Sequence, residues 1–131
     1  MYLIDTQIFI WTLIRPEMLS MGTKSILENH SIFVSQISLF EIAIKQKIGK
    51  LPELGLSISD LVRLIQHDDF NLLTLQNKHI EAYSQIPFLS NHRDPFDRLL
   101  LATALSENMA IMSADENFKS YAPQVSVVEN G

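Results

Sequence analysis

The sequence predicts an α/β fold: a three-layer sandwich with helices on a mostly parallel sheet of about five strands. Three observations predict it. Short apolar runs of strand length alternate with stretches of helical periodicity along the whole chain. The breaks between them fall at Pro, Gly, Ser and Asp, the residues that end or cap elements. The 131 residues are 47% hydrophobic, which suits one core and one domain spanning 1–131.

Each element follows from its own residues. Tyr2, Leu3 and Ile4 form a short apolar run that reads as a buried strand. A helix over about residues 7–14 stops at Arg15 and Pro16, because proline cannot continue it. A second helix covers 20–28. Ile32, Phe33 and Val34 mark the next strand, over 31–35. Ser38 is expected to cap the helix after it, with Phe40, Ile44 and Ile48 as its apolar stripe and Gly49 as its end.

Ser59 opens another helix that carries Leu61, Leu64 and Ile65 on one side. A third strand is expected over 71–75 and a helix over 78–85, ended by Pro87. Asp94 and Pro95 open a strongly helical run over 96–106, since proline is well accommodated at the first helical position. A strand over 110–113, a short helix over 117–121 and a strand over 125–128 complete the series. Strands joined through helices imply right-handed crossovers. Ligands of such sheets bind outside the carboxyl ends of the strands, so acidic residues just after strands are the ones of interest.

Composition narrows the chemistry. The chain has no cysteine, which removes disulfides, thiolate nucleophiles and Cys-based zinc sites, and fits a reducing cytoplasm. No stretch reaches the length of a membrane span. The start, Met1-Tyr2-Leu3-Ile4-Asp5, has no basic residue ahead of its apolar run and does not read as a secretory signal. The formal net charge is −5, unlike a protein that clamps duplex nucleic acid by neutralising phosphates. A nucleic-acid substrate is still compatible if several carboxylates are gathered around a cation, leaving the remaining surface near neutral.

Five carboxylates fit that description. Asp5 follows the first strand and Asp115 the fourth. Asp94 and Asp97 begin the 96–106 helix, and Glu41 lies early in the helix after the second strand. All five are expected at the carboxyl edge of one sheet. Unpaired negative charges so gathered repel one another, and a hard divalent cation with oxygen ligands, Mg²⁺ or Mn²⁺, relieves the conflict. Each also has a purely structural reading. Asp5, Asp94 and Asp115 suit helix capping, Asp97 gains from the helix dipole, and Glu41 is spaced to pair with Lys45. Asp94 is the strongest cap of the five, since Asp-Pro-Phe-Asp reads as N-cap through N3. Capping and metal ligation are compatible.

These residues also resemble a family. Tyr2-Leu3-Ile4-Asp5-Thr6, the stretch from Ser35 to Lys45 around Glu41, His92-Arg93-Asp94-Pro95-Phe96-Asp97-Arg98, and Ser113-Ala114-Asp115 occur in that order. They are similar to the motifs of PIN-domain proteins, most of all the VapC-like toxins of toxin–antitoxin pairs. The resemblance implies a parallel five-stranded sheet and an Mg²⁺- or Mn²⁺-dependent endoribonuclease. Asp5, Glu41, Asp97 and Asp115 match the four acidic positions, as catalytic residues and metal ligands, with Asp94 as an additional candidate ligand. It also implies an RNA substrate, a cognate antitoxin protein, a homodimer, a cytoplasmic location and no membrane association. Alternative readings are an RNA-processing PIN nuclease that is not a toxin, or a catalytically silent binding module of the same fold. Phe40 stands where many relatives carry Trp, and its packing is expected to survive.

Other residues are less specific. His30, His67, His79 and His92 are scattered, against the clustering a zinc site needs. Only His92 lies near an acidic motif, and it reads as structural or solvated. Phe9, Ile10 and Trp11 serve either the core or an apolar groove for a partner. Lys45, Lys47 and Lys50 either guide RNA phosphates or form a solvated helix face. Arg93 and Arg98 flank the acidic pair and are expected to neutralise it or to touch RNA. A phosphoaspartyl phosphatase also places Asp after its first strand, but carries a second Asp two residues on, where this chain has Gln7.

Overall fold

A computed structural model describes residues 1–90 and 92–131. Five strands form one sheet in the order β3-β2-β1-β4-β5, and every pairing is parallel. They are β1 (Tyr2–Ile4), β2 (Ile32–Ser35), β3 (Asn71–Leu73), β4 (Ala110–Ser113) and β5 (Val127–Glu129). The helices are α1 (Thr6–Ile14), α2 (Met21–Asn29), α3 (Gln36–Lys47), α4 (Ile58–His67), α5 (Asn77–Ala82) and α6 (Pro95–Glu107). Short 3-10 turns cover Pro16–Met18, Tyr83–Gln85 and Glu116–Tyr121.

Two apolar clusters sandwich the sheet. One joins Ile4, Val34 and Met112 to Ile8, Phe9, Ile42, Leu61 and Ile65. The other joins Leu3 and Ile111 to Leu100, Leu101, Ala104 and Phe118. Successive strand residues thus point into opposite layers, as the pleat requires. Among the described residues no helix is long and apolar enough to cross a membrane.

The order of the strands positions the site. The chain builds outward from β1 through β2 to β3, then returns to place β4 on the other side of β1. The strand order therefore reverses between β1 and β4, where a parallel sheet opens a crevice at its carboxyl edge. Crossover helices that follow parallel strands begin at that edge, so α1 and α3 start there.

Several expected elements shift. The helix after β2 begins at Gln36, because Ser35 rather than Ser38 caps it, accepting from the Ile37 amide. That moves the buried face to Ile37, Ser38, Leu39 and Ile42, and leaves Phe40 and Ile48 exposed. Gly49 does end it, in the left-handed region at φ 72°. The helix before β3 starts at Ile58, with Ser57 and Asp60 forming a reciprocal capping box. The third strand stops at Leu73, and α5 gives way to a 3-10 turn at Tyr83. The last strand starts at Val127, because Val125 is buried against the second cluster instead.

Candidate active site

The site is assembled from the ends of elements. Asp5 directly follows β1 and caps α1: its Oδ1 accepts from the Ile8 amide at 2.8 Å. Its Oδ2 accepts from the Ser113 hydroxyl at 2.6 Å and the Ala114 amide at 3.2 Å, so the end of β4 holds the carboxylate at the end of β1. Ser113 Oγ in turn accepts from the Asp115 amide at 2.9 Å. Asp115 caps the 3-10 turn Glu116–Tyr121 through the Asn117 amide at 2.9 Å.

Glu41 reaches in from the second turn of α3. Its Oε1 accepts from the Thr6 hydroxyl at 2.7 Å, and Thr6 Oγ1 lies 2.9 Å from the buried Ser38 Oγ. Asp94 caps α6, accepting from the amides of Phe96 at 2.8 Å and Asp97 at 3.3 Å. Asp97 then stands in the first turn of α6, where His92 Nε2 meets its Oδ2 at 3.0 Å. His92 Nδ1 lies 2.7 Å from the Tyr121 hydroxyl. A neutral ring protonated at Nε2 satisfies both contacts, donating to Asp97 and accepting from Tyr121.

Asp5, Glu41, Asp94, Asp97 and Asp115 all line one cleft of about 390 Å³, together with Thr6, Gln7, Trp11, Lys45 and Ala114. The convergence expected for the five carboxylates is therefore present. Two groups are tight enough to share an ion, with ligand atoms all within 4.8 Å of one another: Glu41, Asp94 and Asp97, and His92, Asp97 and Asp115. Asp97 belongs to both. Asp5 belongs to neither and is the most deeply held, with its two oxygens already accepting three hydrogen bonds.

The electrostatics match this crowding. Burial pushes the Asp5 carboxyl up, against the hydrogen bonds from Ser113, Ile8 and Ala114. Burial raises Glu41 to about 7, with Asp97 and Asp94 adding repulsion. Burial raises Asp97 to about 6, opposed by the His92 hydrogen bond. Among the described residues Lys45 is the single cation lining the cleft. The capped starts of α1, α3 and α6 lie at the same edge, where the helix dipoles add partial positive charge.

Four residues outside the carboxylate set orient it: Thr6, Ser113, His92 and Tyr121. From sequence Thr6 and Ser113 carry no expected role, although their places inside the motifs around Asp5 and Asp115 are a signal that could have found them. Tyr121 lies six residues after Asp115, at the far end of the turn that Asp115 caps, and no local pattern marks it. His92 is structural, as expected, but as a clamp on Asp97.

Two expectations fail here, for Arg98 and Phe40, and the open choice for Phe9, Ile10 and Trp11 is decided mostly for the core. Arg98 does not neutralise the acidic pair. It is buried, bonds the Pro87 carbonyl at 2.9 Å, and lies 3.7 Å from the centre of the Phe88 ring. Phe9 and Ile10 are core residues on the inner side of α1, and of that trio only Trp11 keeps partial exposure. Phe40 does not pack inside: it is 58% exposed, and its ring meets Phe96 edge-on at 5.7 Å.

Comparison with known proteins agrees with this fold. The fold matches a chain of VapBC2 from Rickettsia felis bound to a DNA fragment from its promoter, with a TM-score of 0.71 at 18% identity over 98% of this chain and 97% of the other. It matches FitAcB from Neisseria gonorrhoeae with a TM-score of 0.64 at 22% identity, covering 97% and 96%. It matches DNA-bound VapBC from Salmonella typhimurium with a TM-score of 0.66 at 15% identity, covering 99% and 98%. No curated protein matches in sequence. The family model of the PIN domain matches residues 2–123, so nearly all of the sequence that builds the sheet and its acidic crevice is covered, and the chain belongs to the PIN-domain family.

Proposed function

We propose that this chain is a divalent-metal-dependent endoribonuclease, one domain over 1–131, that acts in the cytoplasm as the toxin of a toxin–antitoxin pair. The observation that carries the reading is the gathering of Asp5, Glu41, Asp94, Asp97 and Asp115 on one cleft at the point of strand reversal. Membership of the PIN family supports nuclease chemistry. The toxin role is supported by the likeness of fold to chains of toxin–antitoxin complexes.

The donors suit Mg²⁺ or Mn²⁺. The cleft offers hard carboxylate oxygens and no thiolate, and burial, with repulsion from the neighbouring acids, pushes Glu41 and Asp97 upward. Asp97 with Glu41 and Asp94, and Asp115 and Asp5 beside them, would hold the ion. When bound, a divalent ion there supplies Lewis acidity toward a water and toward the phosphoryl oxygens of a phosphodiester.

The chain's own residues supply order. Ser113, the Ala114 amide and the Ile8 amide fix the Asp5 carboxylate in the buried floor of the cleft. Thr6 fixes the rotamer of Glu41. His92, itself held by Tyr121, aims Asp97. Such partners keep acidic side chains aligned although they repel, and removing a supporting group typically loses ten- to a hundredfold in affinity or rate.

The reading includes a homodimer and a cognate antitoxin. A partner's Arg or Lys placed among these carboxylates would compete with the metal for the same oxygens, so inhibition would be electrostatic as well as steric. The test is cleavage of RNA by purified protein with Mg²⁺ or Mn²⁺, beside an Asp5→Asn control and excess EDTA. Loss of cleavage in both controls is expected, and undiminished cleavage in EDTA overturns the metal requirement. Growth arrest on expression, absent in Asp5→Asn and relieved by the neighbouring gene product, tests the toxin role. Harmless expression of an active enzyme would favour an RNA-processing nuclease instead. Soluble, folded protein without any cleavage would favour a binding module.

A further inference from the structure

The acidic cleft does not end at its own rim. A second cavity of about 280 Å³ adjoins it, and Gln7, Trp11 and Lys45 line both. Its other charged walls are Arg15, Lys50 and Glu53. Three cations thus face one carboxylate in this space, beside a cleft where five carboxylates face one cation. Among the described residues, none of Arg15, Lys45 and Lys50 takes part in an ion pair within 4.0 Å. Arg15 and Lys50 therefore offer their charge to an incoming anion, while Lys45 also acts on Glu41.

The arrangement follows from α1. Gln7 and Trp11 share one stripe of that helix, and Arg15, its C-cap residue, lines the same cavity just beyond them. Lys45 comes from the last turn of α3, and Lys50 from the chain just after the left-handed turn at Gly49. From its N-cap Asp5 to its C-cap Arg15 the helix spans about 15 Å, at 1.5 Å per residue. That is room for several nucleotides of a stacked strand, at about 3.4 Å each.

We propose that this Trp11-walled cationic cavity is the subsite for a nucleotide next to the cleaved phosphate, binding single-stranded RNA by one or two phosphates and by a base stacked on the indole. The inference rests on the nuclease reading above. A strand that crosses the acidic cleft is repelled by it wherever a metal does not intervene. Affinity must come from elsewhere on the same path, and the path along α1 leads to these cations. Backbone charge and an aromatic face are the combination by which proteins hold single strands without reading sequence. Arg15 and Lys50 meet phosphate, Lys45 sits at the junction of the two cavities, and Trp11 meets the base.

Trp11 is the only tryptophan of the chain, so its fluorescence reports the wall that this cavity shares with the acidic cleft. Titration of the full-length protein in EDTA with a short single-stranded oligoribonucleotide should quench that emission. In the Arg15→Gln/Lys50→Gln variant, affinity should fall about tenfold, and the slope of log affinity against log salt should shrink by about 0.7 for each phosphate no longer neutralised. With Mn²⁺ present, the same variant should cleave with a raised KM and an unchanged kcat. Trp11→Phe should bind more tightly than Trp11→Leu, since only the former keeps a ring.

RNA cleavage by the wild type with no change in Trp11 emission, and with equal KM in the double variant, overturns the subsite and leaves the nuclease intact. Quenching by a protein partner but not by RNA also overturns it, making the cavity a peptide site. Absence of both RNA binding and RNA cleavage in the wild type removes the nuclease reading and this inference with it.

Discussion

The two ends of α6 carry the same kinds of residue and opposite electrostatics. At its start, His92 meets Asp97, with Asp94, Glu41 and Asp115 close by. At its end, Glu107 meets Lys78 at 2.9 Å and His79 at 3.5 Å. The hydrogen bond from Lys78 holds Glu107 below its usual range, whereas burial holds Asp97 well above its own. One acid has its counter-charge and the other does not. The compensated acid fastens α5 to α6. An uncompensated group of acids, kept in register by neutral or singly engaged donors, is what a site for a cation looks like.

That contrast predicts its largest effect in substitutions that remove one charge from each end. Asp97→Asn should lower RNA cleavage at saturating Mn²⁺ by more than about a hundredfold while leaving the fold intact. Glu107→Gln should stay within about twofold of wild type and change stability by about 1 kcal/mol or less. Single-turnover cleavage and thermal melts on both variants measure this. Substantial loss of activity in Glu107→Gln would break the comparison.

The next effect concerns the clamp. His92→Asn removes the hydrogen bond to Asp97 and should reduce cleavage by about ten- to a hundredfold. Tyr121→Phe, which removes only the group behind the clamp, should cost less. If Tyr121→Phe is the more damaging, the ring of His92 is held by something other than that hydroxyl.

Asp94 sharpens the boundary between capping and chemistry. Asp94→Asn keeps a good N-cap and should retain cleavage within a few-fold, whereas Asp94→Ala should lower stability by about 1 kcal/mol. A dead Asp94→Asn beside an active Asp97→Asn would exchange their assigned roles.

The smallest effect is on pH. Glu41, raised from 4.5 to about 7, and Asp97, raised from 3.8 to about 6, bind protons more tightly folded than unfolded. The folded state therefore carries more protons between about pH 4 and pH 7, and metal-free stability should fall as pH rises through that window. Partial exposure screens the effect to about 1 kcal/mol. Melts in EDTA at pH 5 and pH 7.5 should show it, and Glu41→Gln should flatten it. Because a divalent ion competes with protons for these oxygens, Mn²⁺ should raise the melting temperature more at pH 7.5 than at pH 5. An equal rise at both values would place the ion elsewhere.

Much of this was present in the order of residues along the chain. The strand before Asp5, the Asp-Pro-Phe-Asp start of α6 and the strand before Asp115 are local signals. An apolar run, a proline and a capping acid each act on their immediate neighbours, so β1, α6 and β4 fall where the sequence places them, as does the parallel α/β class. The same holds for the convergence of the five carboxylates, because crossovers in a parallel sheet bring strand ends and helix starts to one edge. The tertiary structure alone decided which partner each side chain takes. Ser35 rather than Ser38 caps α3, and that shift of register turns Phe40 outward and Ser38 inward beside Thr6. Arg98 lies one residue from Asp97, yet it is buried against Phe88, because adjacent positions on a helix face different directions. His92 and Tyr121 are 29 residues apart and meet only when α6 and the 3-10 turn pack on the same side of the sheet. Periodicity and capping reach a few residues, whereas hydrogen bonds and charge compensation depend on what the fold brings within about 3 Å.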